Sequence, residues 1–178
     1  AQVGEVNGVV APLLSRGALP VYVFLTHCHV DHFVSTPYLD RTMDLRIVCH
    51  AEAAKALEGR DRSATMAEMI DMELPPLSVA ARFFDEGTAR INLAPVSGRH
   101  LDLPSGHRIA VETYALGGGD TVDVIHTPGH SPDSLSFRLG PLLFTGDLNM
   151  ATTPGIVGLK GWDNVKLADS LEGIIALG

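Results

Sequence analysis

Chemistry concentrates in one short run, Thr26-His27-Cys28-His29-Val30-Asp31-His32, where three histidines and an aspartate fall within six residues. Imidazole nitrogens and a carboxylate are the donor set of zinc and similar divalent ions. Residues two apart in an extended segment point to the same side. His27 and His29 can therefore grip one ion, with Cys28 turned away from it. Asp31 and His32 lie where the chain turns after a strand and can face a second ion beside the first. A second run, His126-Thr127-Pro128-Gly129-His130-Ser131, follows another strand-like stretch. Its Pro-Gly pair makes a tight turn that presents His130, which can complete a three-histidine site with His27 and His29. His126 reads as a supporting or structural residue rather than a ligand. A third run, Phe144-Thr145-Gly146-Asp147, ends an apolar strand in a carboxylate that can bridge two metals. His50, His100 and His107 have no partner pattern and read as structural or exposed.

The elements that must hold these runs follow from pattern. Val21-Tyr22-Val23-Phe24-Leu25 is β-branched and aromatic and reads as a buried strand; Arg46–Cys49 reads as a second. His50 to Glu58, alanine-rich and followed by Gly59, reads as a helix with a glycine stop. Ser63 to Met72 reads as helical up to Pro75-Pro76. From residue 100 the pattern turns to strands: 108–114, 121–126, 134–139 and 142–144, with turns at Gly117-Gly118-Gly119-Asp120 and Gly140-Pro141. Apolar residues at 165, 167, 171, 174, 175 and 177 give the last segment an amphipathic helical spacing. Strands interleaved with helices predict α/β layers with helices covering sheet faces. The segment at about 60–100, with Met66, Met69, Met72 and Phe83-Phe84, is expected to be an inserted helical hairpin or a lid over the site.

The chain has 178 residues, 46% of them hydrophobic, which suits a single folded domain spanning residues 1–178. Thirteen Lys and Arg against 21 Asp and Glu leave a net charge of −8 with no basic cluster. This argues against a nucleic-acid partner. No apolar run is long enough to span a bilayer. Two cysteines, Cys28 and Cys49, exclude a disulfide scaffold and a four-cysteine zinc module. The first residues show neither a basic nor a long apolar region of a signal peptide, so a cytoplasmic location is the default. There is no initiator Met, so the chain is either processed or part of a longer one.

The three runs together resemble the signature of the metallo-β-lactamase superfamily: H-x-H-x-D-H at 27–32, T-P-G-H at 127–130, and G-D at 146–147 after an apolar strand. The resemblance implies an αβ/βα sandwich of two mixed β-sheets flanked by helices, with the metal site at one edge. It implies that His27, His29 and His130 hold a first metal, that Asp31 and His32 hold a second, and that Asp147 bridges both. Two zinc ions are expected, with iron or manganese served by the same donors. The chemistry implied is hydrolysis of an ester, thioester or lactone type bond of a small molecule. A metal-bound hydroxide would be the nucleophile, because metal binding lowers the pKa of water to roughly 7, and Asp31 would orient it or relay its proton.

The chain departs from that family in two places. No histidine follows Asp147, where the family usually supplies one more ligand on a later strand. Little precedes the first strand, where the family usually opens with further strands. The fold is therefore expected to be incomplete at the C-terminus and short at the N-terminus. Two alternatives stand beside the hydrolase. A mononuclear iron persulfide dioxygenase is suggested by Thr26-His27-Cys28-His29 but lacks an Arg-bearing segment after Gly146-Asp147. A non-catalytic metal-bound module of the same fold is suggested by the missing histidine. A nuclease is disfavoured by the charge, and a β-lactamase by the lack of any export signal.

Overall fold

The computed structural model describes residues 21–36, 44–85, 95–152 and 159–177, together with Glu5, Gly8 and Pro12. Among the described residues the first sheet has three strands in the order β1 (Val21–Phe24), β2 (Leu45–His50) and β3 (Val79–Phe83). Both pairings are parallel, with Val21 opposite Leu45 and Val48 opposite Ala81. The second sheet is an antiparallel meander of five: β4 (Pro95–Asp102), β5 (Arg108–Gly117), β6 (Asp120–His126), β7 (Leu135–Leu139) and β8 (Leu142–Phe144). Each described sheet is thus of one kind. The turn between β5 and β6 needs three successive positive φ angles, at Gly117, Gly118 and Gly119. Glycine adopts these without the steric cost other residues meet.

The helices α1 (Val30–Phe33), α2 (Ala51–Glu58) and α3 (Asn164–Ala176) complete the described frame. Helix α2 begins at His50, whose ring nitrogen accepts from the Glu52 N–H. It buries Ala53, Ala54, Ala56 and Leu57 against the outer face of the first sheet, beside Ile47 and Cys49. Alternate residues of both sheets face each other: Val48, Ala81 and Phe83 meet Tyr114, Val124 and Phe137. Phe24 stacks on Phe83 at 5.9 Å and meets Phe137 edge-on at 5.5 Å. Each such side chain contributes about 1.5–3 kcal/mol by leaving water. On the far side, Ile174 of α3 packs against Ile109, Val111 and Ile125 of the second sheet. Gly173 lets that helix approach, since a Cβ there would overlap the Ile109 side chain. The layers run α2, first sheet, second sheet, α3, which is the expected αβ/βα sandwich.

The segment at 60–100 differs from the expectation of a helical hairpin. Residues 62–66 are turns, and only Ala67–Ile70 closes a short 3₁₀ helix between Met66 and Asp71, both left-handed. The methionine spacing misleads because the three side chains do not share one face: Met69 is exposed while Met72 packs on the core. Phe83 ends β3 in the first sheet, and residues from 95 onward enter the second. Residues 86–94 lie outside the described residues. Among the described residues no helix is long and apolar enough to cross a membrane.

Candidate metal centre

The singled-out side chains gather where several strands end along one edge of the sandwich. Beyond β1 the chain bends at Thr26, and residues 25–28 are held by partners from neighbouring segments. Leu25 N–H donates to Val48 O at 3.0 Å, and Thr26 O accepts from Leu135 N–H at 2.8 Å. Cys28 N–H donates to the Asp133 carboxylate at 2.7 Å. Alternation then turns Cys28 into the core and leaves His27 and His29 on the other side. Helix α1 starts immediately, its first N–H taken by Thr65 O at 2.9 Å, and carries Asp31 and His32.

The turn bearing His130 is braced by α3. Ser170 Oγ donates to Pro128 O at 2.7 Å, and Asp163 N–H donates to Gly129 O at 2.9 Å. Gly129 sits at φ +140° with the Leu167 backbone so close that a Cβ would lie 2.5 Å from its N. Gly146, at φ +53°, sets Asp147 beside the first arm, where a Cβ would lie 2.8 Å from Thr26 Oγ1.

The result is a tight cluster. His29 Nδ1 and His130 Nε2 are 2.9 Å apart. The ring centroid of His27 lies 4.5 Å from that of His29 and 4.9 Å from that of His130. Asp147 faces both ways: Oδ2 lies 3.5 Å from His130 Nε2 and 3.9 Å from His27 Nε2, while Oδ1 lies 3.3 Å from His32 Nε2. Two donor sets emerge, His27–His29–His130 and His27–His32–Asp147, each with its ligand atoms within 4.8 Å of one another. Asp31 belongs to neither set. It is 76% exposed, with Oδ2 3.8 Å from His32 Nε2.

The donors suit a divalent ion. Ligands about 2.1 Å from a shared tetrahedral ion sit about 3.4 Å apart, and the contacts above bracket that spacing. Thr26 Oγ1 occupies His27 Nδ1 at 3.2 Å, while Nε2, buried and aimed at the cluster, has no hydrogen-bond partner. Such an unpartnered buried nitrogen calls for an explanation, and an ion bound by its lone pair supplies one. Burial, reinforced by the neighbouring rings, pushes His27 far below its ordinary 6.5, and burial takes His29 to about 4. Burial lowers His130 as well. All three rings are therefore neutral at neutral pH, with lone pairs free to ligate.

A family profile described as the metallo-beta-lactamase superfamily matches residues 17–178. The chain belongs to the metallo-β-lactamase superfamily. Among its relatives, the metallo-beta-lactamase fold-containing protein ST1585 of Sulfurisphaera tokodaii is 26% identical over 136 residues, covering 76% of this chain and 47% of its own length. The chain thus spans about half the length of that curated relative. The B3 metallo-beta-lactamase BLEG-1 superposes with a TM-score of 0.61 at 23% identity, covering 93% of this chain and 68% of its own. TTHA1623 in a di-iron-bound form gives 0.58 at 24%, covering 97% of this chain and 72% of its own. Both likenesses show the metallo-β-lactamase fold.

Within that fold the other histidines have separate duties. His126 stacks on His50 at 4.6 Å and its Nε2 meets Pro132 O at 3.0 Å, outside the cluster. His107 pairs with Asp169. Two neighbours of the centre escaped sequence reasoning. Trp162 stands edge-on to His130 at 6.0 Å. Asp133, buried, holds the backbone between His27 and His29. Its only sequence signal is a carboxylate directly after the T-P-G-H-S-P run.

Proposed function

We propose that the chain carries the catalytic centre of a metal-dependent hydrolase acting on an ester, thioester or lactone type bond of a small molecule. The observation that carries this reading is Asp147, whose two oxygens face different histidines, Oδ2 toward His27 and His130 and Oδ1 toward His32. This arrangement supports a carboxylate shared between two ions. In this reading His27, His29 and His130 would hold the first ion, His32 the second, and Asp147 would be shared by both; Asp31, outside both sets, would have to turn from solvent to join the second. Zinc is the first choice, with iron and manganese accepted by the same donors; the di-iron form of TTHA1623 supports iron as the alternative.

Bound divalent ions supply Lewis acidity to a carbonyl and bring the pKa of water to roughly 7. The chain's own residues do the rest. The neutral, buried imidazoles bind without first releasing protons. Thr26 fixes the His27 ring, and α3 fixes His130. Asp31, solvent-facing beside His32, would orient the attacking water or relay its proton. No serine or cysteine nucleophile is required: Cys28 and Cys49 are buried thiols, and burial pushes Cys49 up to about 12. The test is turnover of a simple ester, thioester and lactone series by metal-loaded protein. Activity that is lost on chelation, restored by zinc and abolished in D147N supports the reading. Metal-loaded protein inert toward all three classes overturns it.

A further inference from the structure

We infer that Asp133 is a positioning residue for the three-histidine set, acting through the Cys28 amide to fix the spacing of His27 and His29. The inference rests on reading the cluster as a metal centre. The geometry behind it is specific. Asp133 is 4% exposed, and its Oδ2 accepts from the Cys28 N–H at 2.7 Å across 105 residues of sequence. Cys28 lies between the two ligands, so this one bond fixes the peptide unit on which both arms depend. A second bond, Leu135 N–H to Thr26 O at 2.8 Å, holds the other end of the same arm.

The segment carrying Asp133 also carries His130. Ser131 and Ser134 lock it internally, Oγ to Oγ at 2.7 Å, and Thr127 N–H donates to Ser134 O at 2.9 Å. Asp133 is therefore a strut from the His130 arm to the His27–His29 arm. A buried carboxylate is costly unless it is hydrogen-bonded, and Asp133 pairs with both the amide and the thiol of Cys28. A charged acceptor makes a hydrogen bond roughly twice as strong as a neutral one, which suits a strut that must hold donor atoms to a fraction of an ångström. Supporting partners of this kind are worth about 10–100-fold in metal affinity.

The test is zinc affinity by competition titration of the parent chain, D133A, D133N and T113V, with cobalt absorption as the readout of coordination geometry. D133A is expected to bind zinc about 10–100-fold more weakly and to give an altered cobalt spectrum. D133N, whose amide oxygen accepts the same bond without charge, is expected to recover most of that loss. T113V removes the partly buried Thr113–Asp123 hydrogen bond at 2.6 Å in the second sheet and should leave zinc affinity within about twofold, the bond's modest stability worth being spent away from the centre. Equal zinc affinity in D133A and the parent overturns the inference, as does an equal loss in T113V. A parent chain that binds no metal overturns the underlying reading as well. Amide exchange of the parent needs no variant: the Cys28 N–H should be among the slowest of residues 25–32, and rapid exchange there counts against the strut.

Discussion

Replacing Gly129 with alanine should damage both stability and metal binding. The residue sits at φ +140°, and an added Cβ would lie 2.5 Å from Leu167 N and 2.6 Å from Leu167 Cβ. Comfortable contact needs about 3.5 Å, so the turn must retreat from α3 by about 1 Å, because helix backbone does not yield as a side chain tip would. The glycine-only backbone angle costs about 1–3 kcal/mol. Retreat also stretches the bonds from Ser170 Oγ to Pro128 O and from Asp163 N to Gly129 O, at about 0.5–1.5 kcal/mol each. The sum is about 2–6 kcal/mol, or roughly 5–15 °C in Tm for a chain of this length. His130 is the next residue, and a shift of 1 Å exceeds the roughly 0.5 Å within which a preorganised ligand must be held. Thermal unfolding of metal-free protein reads the first effect and zinc titration the second. Gly98, which has open space around it, supplies the control G98A. A G129A chain that melts within about 2 °C of the parent and binds zinc equally would refute the bracing role of α3.

Three further perturbations bear on the same architecture. G146A would push a methyl to 2.8 Å from Thr26 Oγ1. It should weaken metal binding more than it lowers Tm, since the displaced hydroxyl is the His27 partner. Stability should fall with acid: burial, then His126, holds His50 at about 4 against its ordinary 6.5. The unfolded chain therefore takes up the proton first, and the stabilisation, complete above pH 6.5, is lost as the pH falls through about 4. His50 alone accounts for up to about 3 kcal/mol of this, and H50N, which keeps a helix-capping acceptor, should flatten urea-derived stability between those limits. Both thiols should resist a disulfide reagent in the folded chain and react on unfolding, because burial raises Cys28 and Cys49 alike; rapid reaction of folded protein would contradict their placement.

Much of the centre was legible because its residues are local in sequence and chemically distinctive. His27, His29, His130, His32 and Asp147 do converge as their spacing implies. Asp31 stands apart: the first turn of α1 sends it toward solvent. The hydrophobic alternation of β6 and β7 and the alanine run of α2 marked those elements well. Strand β4 left no such mark, because residues 96–100 are exposed on both faces and hydrogen bonding to β5 alone defines the strand. The methionines at 66, 69 and 72 imitate a helical stripe, yet left-handed residues at Met66 and Asp71 break the helix. Asp133 was invisible for a different reason: its partner is a backbone amide 105 residues away, and no local pattern encodes such a pairing.

The most direct measurement is metal stoichiometry by elemental analysis, following zinc, manganese and iron in the parent chain, H130A and H32A. The fluorescence of the single tryptophan, Trp162, edge-on to His130, reports binding at the first set in the same samples. Metal held by the parent, loss of the tightly bound ion and of the fluorescence response in H130A, and retention of that ion in H32A are the predicted results. A parent chain that takes up no metal from any of the three, or an H130A chain that binds as the parent does, would contradict the account.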